Sequence, residues 1–342
     1  MNISKAETKA PDSLWDSLTS AVQAHPRRIV LPEGTDARVL SASAKLVERG
    51  IAHPVVIGPK ATIRDVAKDH HISLDGIQII EPSKNPDRSR YIDMLMEIRK
   101  SKNLKRADAE KLVDDILIHG CLMLKHGVVD GFVGGASRTT ADTVRSGLMV
   151  LGVEKSVKTV SGSFIMHVPS TPYGHNGWFV FADCAVVPHP TAEQLADIAY
   201  ASSQTFKIFL SNDPRVAFLS FSSKGSAHDD SLTAIRNAVT IIKKRFPDIA
   251  VDGELQVDAA LDRTVAAKKI REPSPAAGQA NVLIFPDLNS GNIAYKITQR
   301  LAHAEAIGPI LQGLNGAIND LSRGCTEEDI IKNVLITSMQ VR

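Results

Sequence analysis

Cysteine is scarce: the chain of 342 residues has three, Cys121, Cys184 and Cys325, and no C-x-x-C pair. That argues against a disulfide framework and a zinc ribbon, and it fits a reducing cytoplasm. Charge of one sign is missing too, with 40 basic residues against 38 acidic, so no electrostatic footprint for nucleic acid is expected. No apolar run reaches spanning length, and residues 1–16 are polar and mixed in charge. Neither a membrane partner nor a signal peptide is expected, and the protein is expected to be soluble and cytoplasmic. Also absent are G-x-G-x-x-G, G-x-x-x-x-G-K-[ST] and H-E-x-x-H. A dinucleotide fingerprint, a Walker loop and a zincin helix are therefore not expected, and neither is a metal site.

What is present points to an α/β fold. The length suits about two domains with an ample core. Short β-branched runs at 28–31, 54–57, 77–80, 131–134, 216–221 and 281–285 read as strands. Between them, residues 36–49, 91–101, 107–125, 191–206, 231–245 and 291–302 carry apolar residues at three- and four-residue spacing, the period of helices packed on a parallel sheet. The one compositional shift, rich in Pro, Ala and Gly at 272–280, reads as a surface loop before a buried strand.

Four constellations carry candidate chemistry, each beside a plainer alternative. Ser322-Arg323-Gly324 precedes a helix expected to start at Thr326. A guanidinium and helix-start donors would seat a phosphoryl group there; the alternative is an ordinary polar turn. Asp329 stands three residues after Thr326, the spacing of a capping box. The run from Gly134 to Arg145 follows a strand and opens a helix, so its glycines would allow close backbone approach and Thr140 would point a hydroxyl at a ligand. In the run from Pro286 to Tyr295, Asp287 and Asn292 read as helix-capping and cleft-floor residues, with Ser290 and Gly291 approaching the ligand.

The run from Pro286 to Leu301 and that from Ile318 to Asp329 resemble the active-site end of the phosphate acetyltransferases, within the phosphate acetyl/butyryltransferase family. The resemblance covers nearly the whole chain from Arg28 onward, including Lys224-Gly-Ser226 and the segment 252–258. It implies interconversion of acetyl phosphate plus coenzyme A with acetyl-CoA plus phosphate, with coenzyme A as a substrate and no tightly bound cofactor. It further implies two α/β domains with mostly parallel sheets flanking a cleft, isocitrate/isopropylmalate dehydrogenase-like: residues 1–155 plus 311–342, and residues 156–310. A homodimer is expected from the same source. Arg145 and Arg99 correspond to arginines with which the family binds substrate or coenzyme A anions; the plainer alternative for either is a solvated helix-face charge.

In the mechanism that the resemblance implies, Arg323 with Arg145 holds the phosphate, Ser322 donates to the developing oxyanion, and Asp329 takes the thiol proton before direct thiolate attack. A thiol near pKa ~8.5 and a free Asp near ~3.9 differ by roughly 4.6 units, about 6 kcal/mol uphill, so that carboxylate would need a raised pKa or a stabilised thiolate.

Phosphate butyryltransferases share the P-D-x-x-x-G-N-I turn but typically lack the N-D-L-S-R-G-C-x-x-x-D run present at 319–329, which favours the acetyl enzyme. One departure is Thr171, where well-studied members have a cysteine; a nucleophilic or redox cysteine there is excluded. Long members carry additional N-terminal domains, and this chain reads as the short form. Three rivals stand beside this reading: a butyryl preference, an oxidoreductase of the isocitrate dehydrogenase type, and a non-catalytic coenzyme A-binding module.

Overall fold

The computed structural model describes residues 14–341. Eleven strands are found among them: β1 (Arg27–Leu31), β2 (Ala52–Ile57), β3 (Gln78–Ile80), β4 (Gly131–Gly134), β5 (Ser161–His167), β6 (Trp178–Ala182), β7 (Arg215–Leu219), β8 (Ala250–Leu255), β9 (Val282–Ile284), β10 (Glu305–Gln312) and β11 (Ile318–Asp320). They build two sheets. The first has the order β11-β4-β1-β2-β3 with every pairing parallel, and Ile29, Val30 and Leu31 of its central strand are fully buried. A parallel sheet covered by helices on both faces has continuous apolar strands, which is why those short runs were legible.

The second sheet, β10-β5-β6-β9-β7-β8, is mixed: β10, β5 and β6 pair antiparallel and the remaining strands parallel. The chain enters it after β4 and returns to the first sheet at β11. Helix Glu327–Gln340 then ties the two halves together. Its Ile330, Ile331, Val334 and Leu335 pack in the core of the first sheet, and Ile336 in that of the second.

Helix starts follow their caps. The periodic stretch expected as one helix over 107–125 is two helices, Arg106–Val113 and Ile116–His126. Asp115 sits extended between them, and its carboxylate accepts from the amides of Leu117 (3.0 Å) and Ile118 (3.2 Å), so the second helix has its own N-cap. Helices Thr140–Val150 and Glu327–Gln340 each begin with a complete capping box, Thr139 with Asp142 and Thr326 with Asp329. Among the described residues no helix is long and apolar enough to cross a membrane, and no group of side chains is arranged to hold a metal ion.

Candidate active site

Adjacent parallel strands end at the same edge, and that places the first wall of the site. Asp320 of β11 lies opposite Gly134 of β4, so the segments after both strands leave the sheet side by side. Glu33, just beyond β1 and 3% exposed, holds the segment after β4. Its carboxylate accepts from the amides of Gly135 (2.8 Å), Ala136 (2.7 Å), Ser137 (2.7 Å) and Arg138 (2.9 Å), and from Ser137 Oγ (2.8 Å). The backbone amides of residues 135–138 are therefore occupied by an internal carboxylate.

Arg38 fastens that segment to its neighbour. One guanidinium nitrogen donates to the carbonyls of Arg323 (2.9 Å) and Cys325 (2.9 Å), and the other to the carbonyl of Ala136 (2.9 Å) while pairing with Asp36 (2.7 Å).

A cavity of about 780 Å³ opens over this wall, lined by Arg99, Thr140, Arg145 and Arg323, with Leu148 and Val186 among its apolar residues. A second, of about 300 Å³, shares Thr139, Thr140, Ala185 and Arg323 with it, so the two form one cleft. Asp320 and Ser322 stand on the first-sheet side of the smaller chamber, and Phe164, Asn292 and Tyr295 on the other. Tyr295 stacks on Phe164 with centroids 4.1 Å apart, a flat apolar surface facing the polar turn.

Arg145 pairs with Asp142 (2.9 Å) while its side chain stays 68% exposed, whereas Arg99 and Arg323 have no carboxylate partner among the described residues. Three guanidinium groups around one cavity favour a ligand with several anionic groups.

The structure thus brings Arg99, Thr140, Arg145, Ser322 and Arg323 together. It places Asp329 elsewhere: exposed, outside both cavity walls, with one carboxylate oxygen accepting from the amide and hydroxyl of Thr326 (2.8 Å each). Ser290 and Gly291 also line neither chamber. The amide of Ser290 donates to Asp287 Oδ1 (2.8 Å) and its hydroxyl to the Asp287 carbonyl (2.8 Å), closing the cap of helix Leu288–Leu301. Gly291 is required by packing, since a Cβ there would lie 2.1 Å from the carbonyl oxygen of Asp183. Asn292 reaches the cleft and donates to the carbonyl of Cys184 (3.1 Å). Thr171 accepts from the Tyr173 amide (3.4 Å), away from both chambers.

Sequence reasoning passed over Glu33, Arg38 and Asp320. Glu33 carried a signal, an acid between Pro32 and Gly34 at the end of a strand. Asp320 stood inside a quoted motif, yet its position in the wall follows from strand pairing alone.

Asp320 is fully buried, and its Oδ2 accepts from the hydroxyl of Thr140. Its Oδ1 faces the hydroxyl of Thr143, and neither atom has another hydrogen-bond partner. Burial pushes its carboxyl up to about 6, with the hydroxyls of Thr140 and Thr143 opposing and the Glu33 charge adding. Gly135, at φ +105°, makes room for it, because a Cβ there would meet Oδ1 at 2.3 Å. A carboxyl raised in this way is closer to an ordinary thiol in proton affinity than a free Asp is.

Fold and site together define a two-sheet α/β protein with an arginine-lined cleft between the sheets. A model of the phosphate acetyl/butaryl transferase family matches residues 13–338, and the chain belongs to that family. A phosphate acetyltransferase from Thermoanaerobacterium thermosaccharolyticum is 45% identical over 331 residues, spanning 96% of this chain and 100% of that one. The crystal structure of a phosphotransacetylase from Streptococcus pyogenes superposes with a TM-score of 0.91 at 41% identity, covering 97% of this chain and 99% of the other. A 4-hydroxythreonine-4-phosphate dehydrogenase from Klebsiella pneumoniae, at 10% identity and a TM-score of 0.53 over 92% of this chain and 100% of its own, shares the fold alone.

Proposed function

We propose that this protein interconverts acetyl phosphate plus coenzyme A with acetyl-CoA plus phosphate, in the cleft between its two sheets. It is an acyltransferase, with coenzyme A and acetyl phosphate as substrates. The observation that carries the reading at the level of chemistry is Arg323, a guanidinium without a carboxylate partner, common to both chambers and beside Ser322. In this reading Arg323 holds the phosphate of acetyl phosphate, and Arg99 and Arg145 receive anionic groups of coenzyme A in the larger chamber. Ser322 donates to the carbonyl oxygen as it gains charge, where one preorganised donor is worth about 3 kcal/mol. Phosphate leaves with its charge matched by arginine.

The same proposal takes residues 1–155 with 311–342 as one domain and 156–310 as the other. It includes a homodimer, which a monomeric mass in sedimentation would remove, and a cytoplasmic location, with which three buried free thiols agree.

The testing experiment mixes purified protein with coenzyme A and acetyl phosphate, without added metal or nucleotide, and follows thioester formation beside a butyryl phosphate control. Rapid acetyl-CoA formation with little butyryl product is expected; no thioester from either substrate would leave the fold without the activity.

Asp329 contributes in this reading by holding the turn that carries Ser322 and Arg323, since its carboxylate is engaged in the first turn of the following helix. Asp329→Ala and Thr326→Ala each remove half of one capping box. Both are expected to cost about 1 kcal/mol in urea unfolding and to slow turnover by similar factors. A loss of kcat in Asp329→Ala far beyond that in Thr326→Ala would instead assign the carboxylate to the chemistry.

A further inference from the structure

The smaller chamber has two unlike halves. Thr140, Asp320, Ser322 and Arg323 make one side polar, while Phe164, Ala185, Tyr295, Pro309 and Leu321 supply apolar surface. The aromatic part of that surface is held in place. Phe164 pairs with Phe181 across β5 and β6, is 6% exposed, and packs in one apolar cluster with Cys184. Gly308 lets β10 pass close to its ring, since a Cβ there would meet Phe164 Cδ1 at 2.8 Å. The register of β10 against β5 shifts between Ile307 and Ile310, and Pro309, inside that shift, joins the chamber wall. Tyr295 lies over Phe164 with an interplanar angle of 15°. Asn292, three residues earlier on helix Leu288–Leu301, bonds to the Cys184 carbonyl (3.1 Å) and so fixes how closely that helix approaches.

We propose that the Phe164–Tyr295 stack receives the alkyl end of the acyl group, and that Tyr295 sets how long that end can be. The inference rests on the proposed acyl transfer. Ser322 and Arg323 are neighbours on one turn, so a carbonyl held by the first and a phosphate held by the second leave the alkyl end of an acyl phosphate to face the opposite, apolar side. Among the described residues, the second sheet's half contributes no charged side chain to this chamber. A carboxylate or ammonium substituent on the acyl group would lose its water there without gaining a counter-charge. The substrate class that fits is a short, uncharged alkyl acyl phosphate.

Length is set at Tyr295 rather than at Phe164. Phe164 belongs to the packed core under the chamber, whereas Tyr295 is half-buried on a helix at its edge, and its ring occupies the space a longer chain would take. To admit such a chain the ring must leave its stack. One methylene too many in an apolar pocket costs roughly 10- to 200-fold, and two compound into a preference for acetyl over butyryl phosphate. An aromatic plane beside a cleft also suits a nucleobase. The two uses differ in which substrate responds when the ring is removed.

The test is kcat/KM for acetyl, propionyl and butyryl phosphate at saturating coenzyme A, with the KM for coenzyme A measured beside it. In wild type the value is expected to fall by roughly 10-fold or more with each added methylene. Tyr295→Ala should narrow the acetyl-to-butyryl ratio by about 10²-fold and Tyr295→Leu by about 10-fold. Tyr295→Phe keeps the ring and should hold the wild-type ratio.

A ratio in Tyr295→Ala within about 3-fold of wild type would overturn the proposal, as would a wild type that uses the three acyl phosphates equally. A raised KM for coenzyme A with an unchanged ratio would overturn it too, by assigning the stack to the nucleotide. If Tyr295→Ala fails to fold, Tyr295→Leu decides by the same ratio, because it keeps an apolar side chain at a part-exposed helix position. A wild-type protein that makes no thioester from any of the three would instead defeat the acyl-transfer reading on which the inference rests.

Discussion

Replacing Arg323 with glutamine is expected to lower kcat/KM for acetyl-CoA formation by about 10²-fold, the largest loss from any single change in the arginine-lined cleft. Three features single it out. Its guanidinium serves both chambers, so it is the arginine positioned to meet a phosphate that bridges them. It has no competing carboxylate among the described residues, so its charge is available to a ligand, unlike that of Arg145, which is shared with Asp142. Its backbone is anchored through the carbonyl that accepts from Arg38 (2.9 Å), so the side chain leaves a fixed point. Arg323→Lys keeps the charge and loses the two-pronged donor, and should recover only part of the rate. Initial rates at varied acetyl phosphate check this; a glutamine variant within a few-fold of wild type would remove Arg323 from the phosphate site.

Glu33→Gln is expected to cost about 3–5 kcal/mol in urea unfolding and to abolish most turnover, although Glu33 is not among the residues lining either chamber. The substitution preserves shape, so packing is not the cause. The carboxylate receives five hydrogen bonds, four from consecutive backbone amides. An amide in its place aims NH₂ at backbone N–H groups, leaving buried donors without acceptors. The loss should reach function because the segment it holds runs directly into Thr139, Thr140 and Arg145. Chemical denaturation together with a coenzyme A titration measures both parts. A variant of wild-type stability would show that the four amides find other acceptors.

How legible each part was follows from what kind of signal it left. The strands β1, β2 and β4 were readable because burial on both faces demands unbroken apolar runs. β8 and β10 were not, since Gly253 interrupts one and Gly308-Pro309 the other, features that local pattern reading takes as turns. β11 is three residues long and two of them are polar; it is a strand because β4 supplies its partner. Ser322 and Arg323 were nominated from a motif and Arg99 and Arg145 from the family resemblance, and all four line the cleft. Ser290 and Gly291 sat in an equally suggestive motif and proved to serve a helix cap and a close backbone contact.

Taken alone, the amino-acid order determined the α/β class and the cap that starts the helix after Thr326, because periodicity and capping are local, while the family resemblance supplied Arg99 and Arg145. The tertiary structure decided which groups meet. Parallel pairing of β4 with β11 puts Thr140 against Asp320 across 180 residues of chain, and pairing of β1 with β4 brings Glu33 beneath the segment after β4. It also decided that Asp320 is buried while Asp329 is exposed. Desolvation depends on everything packed around a group, so the raised proton affinity of Asp320 arises only once the chain has folded.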